Sequence, residues 1–205
     1  MDMAFMVTSF VTLFVIIDPI GLTPLFVALT QGMSDAQRKR VAIRSIVTGF
    51  IILVVFTLFG EAVLGFVGIS MPAFRIAGGI LLFLTALEML FQMRTKRRQD
   101  NSDEEIHDDP SIFPLAIPLI AGPGAITTVI LISGSHPGFV GYGETFIVTI
   151  AVLAIVAAFF MMGSFIERGL GKTGINVVTR ILGMLLAALS VQFVLEGITS
   201  FIALS

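Results

Sequence analysis

Two stretches of helix-breaking residues lie inside long apolar runs: Asp18-Pro19-Ile20-Gly21-Leu22-Thr23-Pro24 and Ala121-Gly122-Pro123-Gly124-Ala125-Ile126-Thr127. Proline removes a backbone N–H and glycine loosens the backbone, so each stretch predicts an interrupted helix. The runs around them reach the roughly 20 residues that a bilayer crossing needs. In hydrocarbon, backbone that leaves the helical pattern is tolerated only where it faces protein or a wet cavity. Two interruptions near the middle of apolar spans therefore point to a binding site at the membrane midplane, as in secondary transporters.

Composition points the same way. Of 205 residues, 56% are hydrophobic and 13% charged, with a mean hydropathy of +1.02. A soluble domain carries about 25% charged residues. The chain reads as an all-α polytopic membrane protein. Met1-Asp2-Met3 lacks the basic start of a signal peptide, so the first apolar segment reads as a retained helix. There is no cysteine, which excludes disulfides and thiolate metal sites. Tryptophan is absent and Tyr142 is the only tyrosine, so an interfacial aromatic belt must come from phenylalanine or be weak.

Six membrane helices are expected, over residues 4–30, 41–67, 72–93, 111–133, 143–166 and 175–203. Basic residues cluster at alternate connections: Arg38, Lys39, Arg40 and Arg44 at the first, Arg94, Lys96, Arg97 and Arg98 at the third, Arg168 and Lys172 at the fifth. The connections around residues 68–70 and 134–142 have no Lys or Arg. The positive-inside rule then places the first, third and fifth connections in the cytoplasm and both termini on the periplasmic or extracellular side. The third connection also holds Asp100, Asp103, Glu104, Glu105, Asp108, Asp109 and His107. A charge run without apolar partners reads as a solvated linker, with a regulatory or metal-binding loop as the alternative.

The two halves resemble each other. A shift of 103 residues sets Gly21 on Gly124, Gly60 on Gly163 and Gly68 on Gly171. With a two-residue insertion, Arg75-Ile76 meets Arg180-Ile181 and Gly78 meets Gly183. Three helices per copy is an odd number, so the second copy enters from the other side. The expected organisation is a three-helix repeat over 1–93, a cytoplasmic linker over 94–110 and an inverted three-helix repeat over 111–205.

In that arrangement the half-helices after Gly21 and Gly124 both begin near the bilayer centre. Helix N-termini present free N–H groups and partial positive charge, a seat for a carboxylate. The candidate binding residues are Asp18, Pro19, Gly21 and Thr23 at the first break, and Gly122, Pro123, Gly124 and Thr127 at the second, with Thr128 adding a further hydroxyl. Packing kinks are the plainer reading of either break alone. Asp18 is a carboxylate deep in an apolar helix, where such groups are costly and usually functional. It could hold a substrate ammonium or a coupling proton, or cap the half-helix that follows it. Arg75 and Arg180 start helices 3 and 6, either as gate or anchor pairs with Glu61 or Glu88, or as side chains snorkelling to the interface. The small residues Ala77-Gly78-Gly79 and Gly183 favour close helix packing. His107 and His136 fall in connections, and no helix carries a histidine–carboxylate cluster, a nucleophile–histidine pair or a phosphate-binding loop. An enzyme, a metal cofactor and a nucleic-acid partner are not expected.

The breaks also carry a resemblance. Asp18 through Phe26, with Asp18-Pro19-Ile20-Gly21-Leu22-Thr23-Pro24 at its start, resembles the first signature of the MarC family, also described as the neutral amino acid transporter family. Pro114-Leu115-Ala116-Ile117-Pro118-Leu119-Ile120-Ala121-Gly122-Pro123-Gly124 resembles the second, and Gly174-Ile175-Asn176 through Arg180-Ile181-Leu182-Gly183 is similar as well. The resemblance implies a multi-pass protein of the bacterial inner membrane or its archaeal equivalent. It also implies uptake of small neutral amino acids of the glycine and alanine class, and the expected reading is a secondary transporter of that class driven by a proton or sodium gradient. An exporter of metabolites or drugs and a non-transporting membrane scaffold are the alternatives, and a homo-oligomer is left open.

Overall fold

A computed structural model describes residues 3–91, 110–136 and 138–204. The basic and acidic groups of the third connection, from Arg94 to Asp109 and including His107, lie outside the described residues. All regular structure among the described residues is helical. α1 (Met3–Ile17) and α2 (Pro19–Leu29) make one interrupted span, followed by α3 (Asp35–Val67) and α4 (Met71–Leu90). α5 (Ser111–Ile120) and α6 (Pro123–Ser135) make a second pair, followed by α7 (Phe139–Met161) and α8 (Gly163–Leu204). Among the described residues five stretches, the α1–α2 pair counted as one, are long and apolar enough to cross a membrane, and the α5–α6 pair, bent by 54°, makes a sixth.

Local chemistry explains where the observed boundaries depart from those expected. α3 begins at Asp35 rather than near residue 41, because Ser34 and Gln37 form a reciprocal cap. The Ser34 N–H donates to Gln37 Oε1 at 2.9 Å, and the Gln37 N–H donates to Ser34 Oγ at 3.4 Å. Arg38, Lys39 and Arg40 thus ride on helix rather than loop. Gly68, at φ 81°, ends α3, and Ser70 caps α4 through the Ala73 N–H at 3.3 Å. α7 starts at Phe139 and ends at Met161, a few residues ahead of the expected span. α8 is kinked at Gly171 (φ 60°), and its membrane-crossing part is Thr173–Ala203.

The expected fourth helix is the largest correction. Residues 111–120 do not form an α-helix: Phe113 and Ile117 have extended dihedrals, and the surrounding turns have the wider π spacing. The Ala121 N–H donates to Ala116 O at 2.9 Å. The cause is Pro114 and Pro118, which together remove two donors from one short segment.

The first interrupted span is the centre of the molecule. In its most apolar stretch 61% of residues are buried, against 22% for α3. Ile43, Val47, Ile51, Val55, Phe59 and Val63 recur every fourth residue on α3 and are all exposed. That stripe is what a lipid-facing helix side looks like. Phe26 of α2 stacks on Phe160 of α7 with ring centroids 4.2 Å apart, and both are buried.

α4 and α8 pack along their lengths in antiparallel register, through glycines that leave no room for a Cβ. Gly197 lies on Pro72 and Ile76, Gly79 on Ser190 and Val194, and Gly183 on Ala86 and Met89. Small residues at such crossings let membrane helices approach closely. A second set of glycine contacts is reciprocal. Gly60 of α3 lies against Ile130 of α6, and Gly163, at the start of α8, lies against Val27 of α2. Val27 and Ile130 are 103 residues apart, as are Gly60 and Gly163.

Candidate functional site

The first break is a single residue wide. Asp18 has left-handed dihedrals (φ 55°, ψ 66°), which aspartate tolerates better than most residues. Backbone pairing continues across it: the Asp18 N–H donates to Phe14 O and the Leu22 N–H donates to Asp18 O, both at 2.9 Å. The Asp18 side chain is fully buried. Its Oδ1 accepts from the Gly21 N–H at 3.0 Å, and Oδ2 has no hydrogen-bond partner among the described residues. Asp18 therefore caps α2 and keeps one carboxylate oxygen uncommitted. Gly21 is required by this arrangement, because a Cβ there would fall on the Asp18 carboxylate.

The second break is wider and differently finished. α6 begins at Pro123, so Gly124, Ala125, Ile126 and Thr127 are helical and the irregular backbone lies upstream of them. Gly122 sits at the cap position in extended conformation, and no side chain caps the helix. Pro123 has no N–H, so the first free donors of α6 are those of Gly124 and Ala125. Gly122 has its α-carbon hydrogen turned onto Pro118 O, where a Cβ could not fit.

The second break packs against the end of α1. Gly124 is in close contact with Ile16, two residues before Asp18; a Cβ on Gly124 would lie 3.1 Å from Ile16 Cγ2 and 3.3 Å from Leu82 Cδ2. The start of α6 therefore lies beside the last turn of α1, the turn that leads into Asp18. The threonines are engaged elsewhere. Thr23 is fully buried and donates to Pro19 O at 2.7 Å, while Thr128 donates to Gly124 O at 2.9 Å. Thr127 rests its methyl against Gly78 of α4.

Arg75 forms an ion pair, with a partner other than the Glu61 or Glu88 that the sequence suggested as examples. Arg75 pairs with Glu196 at 3.6 Å and donates to Ser135 Oγ at 3.2 Å. The α4–α8 register sets it there, rather than beside Glu61 or Glu88. Glu61 and Arg180 are exposed, and Glu88 is half-buried.

α1 and α6 run antiparallel from the Gly124–Ile16 contact to a second contact, where Phe5 meets the His136 ring edge to face at 4.6 Å. Between these contacts lies a cavity of about 570 Å³ whose walls include Ser9, Thr12, Arg75, Thr128, His136 and Glu196. Its size is within the roughly 300–1,000 Å³ range of small-molecule sites. Thr128 lies one turn beyond Gly124, so the cavity reaches to within a turn of the second break. At its far end, His136 Nδ1 lies 2.8 Å from Oε2 of Glu144, a carboxylate only 2% exposed. Sequence reasoning left this pair out, because His136 falls in a connection and Glu144 at the edge of an expected helix. An acidic residue eight positions after a histidine across a tight α6–α7 turn was the available signal.

These features define a polytopic helical membrane protein with two interrupted spans and a cavity between α1 and α6 (the vestibule) that ends within a turn of the second break. The chain belongs to the MarC family of integral membrane proteins, whose family model matches residues 3–202. It is 36% identical to the UPF0056 membrane protein YvbG of Bacillus subtilis over 202 residues, covering 97% of this chain and 96% of the relative. It is 39% identical to the UPF0056 membrane protein MJ0972 of Methanocaldococcus jannaschii, covering 95% and 86%. It is 36% identical to the UPF0056 membrane protein YhcE of Escherichia coli, covering 92% and 89%. No solved structure matches the chain.

Proposed function

We propose that this protein is a secondary transporter for small neutral amino acids, driven by a proton or sodium gradient and working by alternating access. The observation that carries the reading is the complementary finish of two breaks, the second of which packs against the turn before the first. One presents a buried carboxylate with an uncommitted oxygen, and the other an uncapped helix N-terminus. An α-amino acid has the matching pair of charges: its ammonium suits Asp18 and its carboxylate the N–H groups of Gly124 and Ala125. The N-terminus of α2 already holds the Asp18 carboxylate, so the substrate carboxylate goes to α6 alone. Gly124, wedged against Ile16 and Leu82, leaves space for only a small side chain.

The reciprocal contacts Gly60–Ile130 and Gly163–Val27 support an inverted repeat, whose two halves could exchange conformations to open the site to either face. The distribution of basic residues supports termini on the outer face of a cell membrane, with the vestibule as the outer access path. The test is uptake of labelled glycine and alanine by proteoliposomes under imposed proton or sodium gradients. Gradient-driven accumulation of both, with lysine and glutamate refused, is expected. Absence of flux under either gradient and in either direction would sink the reading.

A further inference from the structure

We infer that the vestibule is a second amino-acid site, which holds α-amino acids whose side chains are too large for the seat at the start of α6 and binds them without carrying them across. The inference rests on the transporter reading for the inner seat and concerns a different place in the molecule. Two groups of opposite charge stand side by side in the cavity wall: Arg75 of α4 and Glu196 of α8, with Arg75 Nη1 3.6 Å from Glu196 Oε2. A charge-assisted hydrogen bond is ordinarily about 2.7–2.9 Å long, so the two attract each other without being bonded. Among the described residues, Arg75 donates one hydrogen bond, from Nη2 to Ser135 Oγ at 3.2 Å. A guanidinium has N–H donors to spare beyond that one. Glu196 accepts from Gln192 Nε2 at Oε1, at 3.0 Å, which leaves Oε2 on the side of Arg75. Both side chains are partly exposed, so a solute in the cavity can reach them.

An α-amino acid carries its ammonium and its carboxylate on one carbon, so its charges are side by side as well. The carboxylate can take spare Arg75 N–H groups, in the paired geometry that guanidinium favours, while the ammonium donates to Glu196 Oε2. The charges of ligand and protein then alternate in sign around a ring, and the attraction between Arg75 and Glu196 is kept. A ligand with only one of the two charges would leave a member of the pair unmatched.

The rest of the cavity decides which side chains fit. Phe5, Leu131, Ile132 and Phe193 give it an apolar wall. Phe193 and Glu196 are one turn apart on α8, so an amino acid held at Glu196 can lay its side chain beside the Phe193 ring. The volume of about 570 Å³ is far more than glycine or alanine fills. The inner seat is the opposite case: a Cβ added at Gly124 would already lie 3.1 Å from Ile16 Cγ2 and 3.3 Å from Leu82 Cδ2. The same head group is thus accepted in two places, and a long apolar side chain in only the outer one. Thr128, in the cavity wall one turn from Gly124, marks where the route to the inner seat begins. A large amino acid bound in the vestibule therefore stands in the way of glycine.

Leucine is the probe, and its binding is measured without transport. Labelled leucine should bind the protein in nanodiscs, and Arg75→Gln and Glu196→Gln should each weaken binding at least about tenfold. Both variants should melt within a few degrees of wild type, because the pair is partly open to solvent. Arg75→Lys keeps the charge without the paired donors and should fall between wild type and Arg75→Gln. Asp18→Asn should bind leucine as wild type does. Leucine amide, which lacks the carboxylate, and isocaproate, which lacks the ammonium, should fail to displace it. In proteoliposomes leucine should inhibit glycine uptake and should not itself accumulate. The leucine concentration that halves uptake should rise at least about tenfold in Arg75→Gln. Leucine binding that depends on Arg75 and Glu196 in a protein with no glycine flux would end the transporter reading and leave this site standing. The proposal is overturned if leucine fails to bind, binds both variants as tightly as wild type, yields to isocaproate, or accumulates inside. Binding lost in Asp18→Asn but kept in Arg75→Gln would move leucine to the inner seat and overturn it as well.

Discussion

The two interruptions occupy matching places in the two halves of the chain, yet they are built by different means. The first changes the dihedrals of one residue, keeps its backbone hydrogen bonds and fills the new helix end with its own side chain. The second spreads over residues 111–122, bends the chain by 54° and leaves the new helix end without a side-chain cap. The second half has Ala121 where the first has Asp18, so no carboxylate is available to close the site from that side. The two breaks thus differ in charge: a buried carboxylate at one, an uncapped helix N-terminus at the other. It is this difference that the proposed amino-acid substrate would use, with its ammonium at one break and its carboxylate at the other.

The largest expected effect comes from neutralising the negative member. Asp18→Asn keeps an oxygen to accept from the Gly21 N–H and a side chain that tolerates left-handed backbone. It removes only the charge. A hydrogen bond to a charged group contributes roughly 1.5–3 kcal/mol, so glycine uptake should fall about 10- to 100-fold while the melting temperature stays near wild type. Asp18→Ala should lose uptake and also about 1 kcal/mol of stability, through loss of the cap. Wild-type uptake by Asp18→Asn, with destabilised Asp18→Ala, would reduce the first break to a structural cap and end the comparison.

Much of this was legible in the residues. Pro19, Gly21, Gly122, Pro123 and Gly124 announced both breaks, because their backbone constraints are local and hold in any surroundings. The all-helical membrane architecture followed from apolar runs and charge segregation for the same reason. Pro114 and Pro118 were equally visible, but the geometry they impose on α5 depends on how successive turns close, which spacing alone does not decide. Contacts between distant segments were not legible. Arg75 could face Glu61, Glu88 or Glu196 until the glycines of α4 and α8 fixed the register. The burial of Glu144 likewise follows from packing beside the α6–α7 turn rather than from its own neighbours in the chain.

A middle-sized effect should separate the two matched glycines. A methyl on Gly21 would fall on the Asp18 carboxylate, whereas a methyl on Gly124 meets the ends of the flexible Ile16 and Leu82 side chains at 3.1 and 3.3 Å. Overpacking costs about 1–3 kcal/mol when neighbours cannot yield. Gly21→Ala should lie in that range and should also lose uptake, because it displaces the carboxylate. Gly124→Ala should cost under about 1 kcal/mol, since those side chains can shift, and should weaken alanine uptake more than glycine uptake. Thermal melts and paired uptake assays read both. Equal losses at the two positions would mean that the breaks are finished alike after all.

The smallest effect extends the comparison to the matched arginines. Arg75 borders the vestibule and pairs with Glu196 at 3.6 Å, whereas Arg180 is exposed. The Glu196 side chain is 42% exposed, so the pair is screened by solvent, and removing it should cost only about 0–1 kcal/mol. Arg75→Gln and Arg180→Gln should therefore melt within a few degrees of wild type. They should differ in access. The chain contains no cysteine, so a single Thr12→Cys reports directly on the vestibule. Removing the Arg75 guanidinium from the cavity wall should raise the labelling rate of Thr12→Cys by an added membrane-impermeant maleimide severalfold, whereas Arg180→Gln should leave it unchanged. Equal labelling in both backgrounds would show that Arg75 plays no part in governing entry.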